Sequence, residues 1–184
     1  MTIAATAALA GNWTIDAAHS RVGFMARHAM VTKVRGAFNE FDGSAVVDAD
    51  DFSRSRASVV IQAASIDTRN AQRDEHLRGN EFFDMGAFPQ IVFVSTAVTP
   101  TGPESFDLTG DLTIKDVTRS VTVPFSFEGV AAEPVGNQRA GFEGSVAISR
   151  KDYGVTWNAA LETGGVLVSD KIVLEFDVSA IKNA

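Results

Sequence analysis

The chain has 184 residues, 45% of them hydrophobic and 21% charged, with no cysteine and a formal net charge of −7. That length fits one domain with a core of ordinary size, and the lack of cysteine excludes disulfides, thiolate chemistry and cysteine zinc sites. The acidic balance argues against nucleic acid and against nonspecific binding to anionic lipid surfaces, and no run of about 18 apolar residues is present to cross a membrane as a helix.

The first stretch, "MTIAATAALAGNW", is mildly apolar. It lacks the positive start of a secretory signal, and Ala and Thr dilute its apolar run. Residues 1–12 are therefore expected to be a flexible arm or short helix on a cytoplasmic protein, ahead of a domain over 13–184. From there the dominant pattern is alternation with period two, the mark of half-buried strands. "SRVGFMARH" puts Val22, Phe24, Ala26 and His28 on one face. "VRGAFNEFDGSAVVD" follows, with Gly36 and Gly43 where a curved sheet needs bends or bulges. "RASVVIQAAS" reads as a strand buried on both sides, and "QIVFVSTAV", entered from Pro89, as another.

One segment breaks the rhythm. After Thr68, "RNAQRDEHLR" holds good helix formers with no proline and no β-branched residue. Asp67 or Thr68 can cap its start and Gly79 can end it, which predicts a helical insertion around residues 69–84. Arg73, His76 and Leu77 share one side of that helix, and Asp74 and Arg78 form an i, i+4 pair. Phe82 and Phe83 come just after it. Beyond lie hairpins. "SFDLTGDLTI" and "SVTVPFSFEGV" flank the short turn "KDVT", where Asp116 can take the turn conformation. "AGFEGSVAIS" and "KIVLEFDVSA" complete a set of about eight strands, which closes into a barrel or folds into a sandwich to hide its edges.

Little in this pattern is catalytic. There is no glycine-rich phosphate loop and no nucleophile elbow. His19, His28 and His76, with Asp74 near by, are the candidates for a metal site, but no HExxH spacing supports one. The stronger clue is aromatic: 13 phenylalanines stand against one tyrosine and two tryptophans. Phenylalanine offers bulk without a polar handle, and an eight-stranded barrel is just wide enough to be filled by side chains or to hold one slender ligand. Ala26, Gly36, Ala37, Ala63 and Gly144 are expected to leave room inside it.

The ordered set "WTIDAAHSRVGFMARH", "VRGAFNEFDGSAVVD", "SIDTRNAQRDEHLRGNEFFD", "FPQIVFVSTAV", "LTGDLTIKDVTRSVTVPF", "SRKDYGV" and "SDKIVLEFDV" resembles the YceI-like family of lipocalin-fold proteins, from about Trp13 to Val178. The resemblance implies an all-β fold, an elongated eight-stranded antiparallel lipocalin-like barrel with its helix in "RNAQRDEHLR". It also implies noncovalent binding, storage or transport of a long isoprenoid lipid, of polyprenyl or isoprenoid-quinone type, in the interior. No catalytic reaction, cofactor or metal comes with it. Two departures stand out: many members carry a secretory signal, and the turn that often reads Gly-Val-Thr in the family reads Asp116-Val117-Thr118 here.

The expected apolar cavity comprises Phe24, Phe38, Phe41, Ile61, Phe82, Phe83, Phe93, Phe142 and Phe176. The expected polar mouth comprises His19, His28, Arg73, Asp74 and His76, motif positions shared with the family. Transient membrane contact and a homodimer are the further partners left open. The rival reading is a metal-dependent or quinone-linked enzyme built on His19, His28 and His76.

Overall fold

The computed structural model describes residues 1–134 and 136–184, the side chains of residues 3 and 4 excepted. Among the described residues, two short α-helices, α1 (Ile3–Leu9) and α2 (Ala71–Arg78), accompany eleven strands. These are β1 (Gly11–Ile15), β2 (Arg21–His28), β3 (Thr32–Phe38), β4 (Phe41–Val47), β5 (Arg56–Gln62), β6 (Ile66–Asp67), β7 (Gln90–Gly102), β8 (Ser105–Ile114), β9 (Val117–Ala132), β10 (Gln138–Ser149) and β11 (Lys171–Lys182).

All pairings are antiparallel, in the order β1-β4-β5-β7-β8-β9-β10-β11, and β1 pairs back onto β11 to close the wall. β2 continues the path of β1 along β11 after a 3-10 turn at Ala17–His19, and β3 continues that of β4 along β2. Counted by wall position, the result is a closed eight-stranded barrel. Closure removes the free sheet edges that so many strands would otherwise expose.

Local chemistry sets the corners. Lys115 and Asp116 both take positive φ, 51° and 63°, in the two-residue turn between β8 and β9. A hairpin loop of that length favours this mirror-image turn, because its twist matches the strands. Asp116 is thus a turn residue, as the sequence predicts, together with Lys115.

The segment 1–12, expected to be a flexible arm or short helix, forms α1 and reaches the barrel. Leu9 has no exposed surface, its carbonyl accepts the indole N–H of Trp13 at 2.6 Å, and Gly11 and Asn12 already pair with β4. The strand β1 therefore begins before the expected domain boundary. At this lower end Leu9, Trp13, Phe52, Val98, Phe106 and Phe127 form one apolar cluster. A second cluster, with Val22, Phe38, Phe41, Ile61, Ile66, Leu112 and Tyr153, lies towards α2 at the upper end.

α2 forms where expected but is capped differently. Asn70 is its N-cap, accepting from the Arg73 backbone N–H at 2.9 Å. Asp67 instead accepts from the Arg69 N–H at 2.7 Å, in the turn before the helix. Asp74 does not pair with Arg78. It is buried and accepts from both the N–H and the hydroxyl of Thr68. Arg78 reaches down to the carbonyls of Ala64 and Ile66, at 2.9 and 3.0 Å, and so fastens the helix across the barrel end.

Candidate functional site

Among the described residues, one cavity lies within the barrel wall and another lies above it at the end covered by α2. The lower, about 180 Å³, is bounded by Leu9 and Trp13 at its floor and by Phe41, Ala45, Ala57, Phe93, Phe106, Val123, Phe125, Phe142 and Phe176 around its wall. The upper, about 460 Å³, lies between the ends of β2 and β3, the side of α2, and the loop that carries Trp157, Leu167 and Val168.

The two are neighbours along a single strand. Val22 faces the lower cavity and Phe24, next on the same face of β2, faces the upper. Residues i and i+2 of a strand are only about 7 Å apart. Between the cavities stands an aromatic partition, in which Phe38 meets Phe24 at 5.7 Å and Phe83 at 5.9 Å between ring centroids.

The residues expected to line one tunnel are thus divided among three places. Phe41, Phe93, Phe142 and Phe176 line the lower cavity, and Phe24 and Phe82 the upper. Phe38 and Ile61 are buried core beneath α2, with Phe83 packed against them. Glycines in the wall do not leave the expected room. A β-carbon on Gly36 would come within 2.8 Å of Phe24 Cε1, one on Gly144 within 2.8 Å of Phe125 Cε1, and one on Gly110 within 2.7 Å of Phe93 Cε2. Each of these glycines seats the phenyl ring of a neighbouring strand, so the free space lies elsewhere.

The polar residues divide as well. His28, Arg73 and His76 line the upper cavity together. Arg73 donates from Nε to Thr68 Oγ1 at 2.7 Å and from Nη2 to the Thr68 carbonyl at 2.8 Å. His76 Nε2 meets Glu81 Oε2 at 2.6 Å, and its ring lies edge-on to Phe82 and Trp157, at 5.0 and 4.8 Å. Asp74 sits behind this wall, on Thr68.

His19 belongs to none of this. It is exposed at the bend between β1 and β2, with Nδ1 on Asp16 Oδ2 at 2.7 Å. The same carboxylate receives Arg139 at 2.7 Å, and this contact is the first cause holding the Asp16 carboxyl below its ordinary range. His19 precedes the first residue of β2 and His28 is its last, so the strand separates them by more than about 20 Å. A joint site of His19, His28 and His76 is excluded by that distance. Among the described residues no group of three or more His, Asp or Glu side chains is placed to hold a metal ion.

Several wall residues lie outside the set expected from the sequence. Phe106 and Phe125 follow the alternation of β8 and β9, and a strict count of inward positions finds them. Trp157 lies in an irregular loop and has no periodic signal. That loop is pinned by Arg150, whose buried guanidinium donates to the carbonyls of Ser169, Val155 and Trp157 at 3.0, 2.9 and 2.9 Å. Burial pushes the pKa of Arg150 down and that of Tyr153 up. The Tyr153 hydroxyl, within the apolar cluster, has no hydrogen-bond partner among the described residues.

The mouth of the upper cavity is apolar at its tips. Met30 and Val31, in the turn between β2 and β3, are 52% and 74% exposed, and Val166, on the adjoining loop, is 39% exposed.

A closed eight-stranded barrel with apolar cavities and a helix across one end coincides with a family match over residues 13–180, to the YceI-like domain. The chain belongs to the YceI-like family. A UPF0312 protein of Staphylococcus aureus is 39% identical over 170 residues, covering 92% of this chain and 95% of its own. Among solved structures, Burkholderia cenocepacia BcnA superposes with a TM-score of 0.78 at 28% identity, covering 90% of this chain and 98% of its own. A polyisoprenoid binding domain from Saccharophagus degradans, implicated in plant cell wall breakdown, superposes with a TM-score of 0.70, covering 93% and 98%. It is 13% identical, so that likeness is one of fold.

Proposed function

We propose that this YceI-like protein binds a long isoprenoid lipid noncovalently inside its barrel and carries or stores it without chemical change. The observation that carries this reading is the lower cavity, lined mainly by aliphatic and aromatic side chains from β1, β2, β4, β5, β7, β8, β9, β10 and β11, with Ser44, Ser55 and Arg56 the polar residues among them, and floored by Leu9. A cavity so lined offers a polar ligand almost nothing and excludes water, whereas each methylene moved into it from water is worth about 0.8 kcal/mol. A few isoprene units on that scale outweigh the cost of ordering the chain and reach binding of roughly micromolar strength or better. The name of the Saccharophagus degradans neighbour adds support, since the same barrel is there described as binding polyisoprenoid.

The geometry sets conditions on the guest. The lower cavity alone, at about 180 Å³, falls below the ~300–1,000 Å³ of typical ligand sites. A long prenyl chain therefore uses both cavities, and the Phe24–Phe38–Phe83 partition turns aside to admit it. Entry is from the upper end, where the apolar tips Met30, Val31 and Val166 suit brief contact with a bilayer.

Organic extraction of freshly purified protein, followed by mass spectrometry, tests the reading. The expected result is a prenyl lipid near one per chain. A protein that yields no apolar guest and takes up no polyprenol after delipidation contradicts it.

A further inference from the structure

The hairpin of β2 and β3 runs on beyond Met25, where the pairing of β2 with β11 ends. The two edges of this extension differ. On the β2 side, Arg27 turns its backbone to the loop that follows β10: its N–H donates to Ser169 Oγ at 2.8 Å, and its carbonyl accepts the Ser169 N–H at 3.0 Å. Ala29 likewise donates to the Leu167 carbonyl at 2.7 Å. Successive residues of a strand point their backbone groups to opposite edges. The groups of Ala26 and His28 therefore point to β3, where Val34 and Thr32 stand opposite them.

The same alternation assigns the outer edge of β3. Its outward N–H and carbonyl groups are those of Lys33, Arg35 and Ala37. Ala37 is paired with Asp67 of β6, and the chain then bends away at Arg69, whose φ is 62°. Among the described residues, the outward groups of Lys33 and Arg35 have no strand partner. Both residues are exposed, with their side chains on the outer face, while Val34 between them lines the upper cavity.

An unpaired edge is a template for another extended chain, and charge decides which chain this one fits. The segment 17–39 contains Arg21, Arg27, Lys33 and Arg35 and not one Asp or Glu, in a protein of net charge −7. Arg35 lies 3.9 Å from Glu175, which also serves Arg21, and Lys33 enters no ion pair among the described residues. Two copies of the protein joined antiparallel through this edge would set Lys33 opposite Arg35, or each opposite itself. Like charges directly opposite destabilise a strand pair, whereas opposite charges stabilise it.

We propose that the outer edge of β3 is a docking site for an extended acidic segment of a partner protein, which adds a strand beside Lys33 and Arg35. The segment carries Asp or Glu at two alternate positions, opposite these side chains, with an apolar residue between them beside Val34. The proposal stands apart from the isoprenoid reading, since it uses the outer edge of the hairpin and not the cavities.

The test is an NMR titration of the full-length protein with an N-acetylated heptapeptide alternating Glu and Val, against its counterpart alternating Lys and Val. The Glu peptide should give saturable amide shifts centred on Lys33 and Arg35, and should bind about tenfold or more tightly than the Lys peptide. Lys33→Glu, at an exposed position, should bring that ratio towards one. Arg35→Pro removes one outward N–H while sparing the bonds to β2, and should weaken the Glu peptide about fivefold, the scale of one hydrogen bond. If Arg35→Pro melts early, Lys33→Glu decides the matter. No saturable binding, equal affinity for the two peptides, shifts that map away from β3, or a preference unchanged in Lys33→Glu overturns the proposal. A dimer in sedimentation whose interface maps to Lys33 and Arg35 overturns it in favour of a second copy of the chain.

Discussion

The phenyl ring of Phe24 lies across Gly36, its partner on the neighbouring strand, and closes the barrel at mid-height. The ring occupies the place where any other residue at 36 would put its β-carbon. Gly36→Ala therefore forces Phe24 off its position, and such overpacking costs about 1–3 kcal/mol. Phe24→Ala acts in the opposite sense on the cavity, joining the upper and lower spaces. Thermal melts should show both variants destabilised, while polyprenol uptake should become faster in Phe24→Ala and not in Gly36→Ala.

Arg150 fixes the loop that walls the upper cavity. Its guanidinium satisfies the carbonyls of Val155, Trp157 and Ser169 at once, and among the described residues no acidic partner pairs with it. Arg150→Met keeps the bulk and abandons those carbonyls, an expected loss of about 3 kcal/mol or more. Lysine cannot replace the planar fork. Hydrogen exchange should then rise across residues 155–169 with little change in β8 and β9. Uniform protection in the variant would show that the loop is held by other contacts.

Acid should loosen the outer wall where β10 meets the bend between β1 and β2. Arg139 bonds Glu133 and Asp16 at 2.7 Å each and holds both carboxyls below their ordinary range. A carboxyl whose pKa is depressed by folding stabilises the fold above its unfolded value, and that contribution is lost as pH falls through the folded value. The melting temperature should thus be level through neutral pH and decline below about pH 4, the unfolded carboxylate range. Arg139→Gln should flatten the decline. In the lower turn, Asp48 is held at about 2, chiefly by its bond from Arg54, which a carbon-detected NMR titration reads directly.

The exposed tips give a fourth expectation. Met30 and Val31 project from a hairpin that is basic throughout, in a protein that is acidic overall. Vesicle flotation should show weak binding that strengthens with anionic lipid and fades at high salt. Met30→Ser with Val31→Ser should abolish it and slow lipid exchange, leaving the melting temperature unchanged. Equal binding by the double variant would place membrane contact elsewhere.

Much of this barrel is legible in the sequence. Alternation locates β2, β8, β10 and β11, because a half-buried strand must place its apolar residues two apart. Helix formers ending at Gly79 locate α2, and its Arg73, His76 and Leu77 do line one cavity. The failures share a cause: a one-dimensional pattern does not show what lies opposite. Small residues suggest empty room, yet Gly36 and Gly144 are filled from the next strand. His19 and His28 are nine positions apart in sequence, yet the extended β2 keeps them apart where a helix would have brought them closer. Leu9 and Trp157 lie outside the strand rhythm, and only closure of the barrel gives them a cavity to face.

Binding of the lipid turns above all on the lower cavity being the seat of its tail. The direct measurement is equilibrium binding of a neutral polyprenol to delipidated protein, in the natural sequence and in Ala45→Phe, which adds bulk to that cavity. Saturable binding of one polyprenol per chain is predicted, weakened about tenfold or more by the filling residue at an unchanged fold by circular dichroism. Undiminished binding in Ala45→Phe, or none in the natural protein, would contradict it.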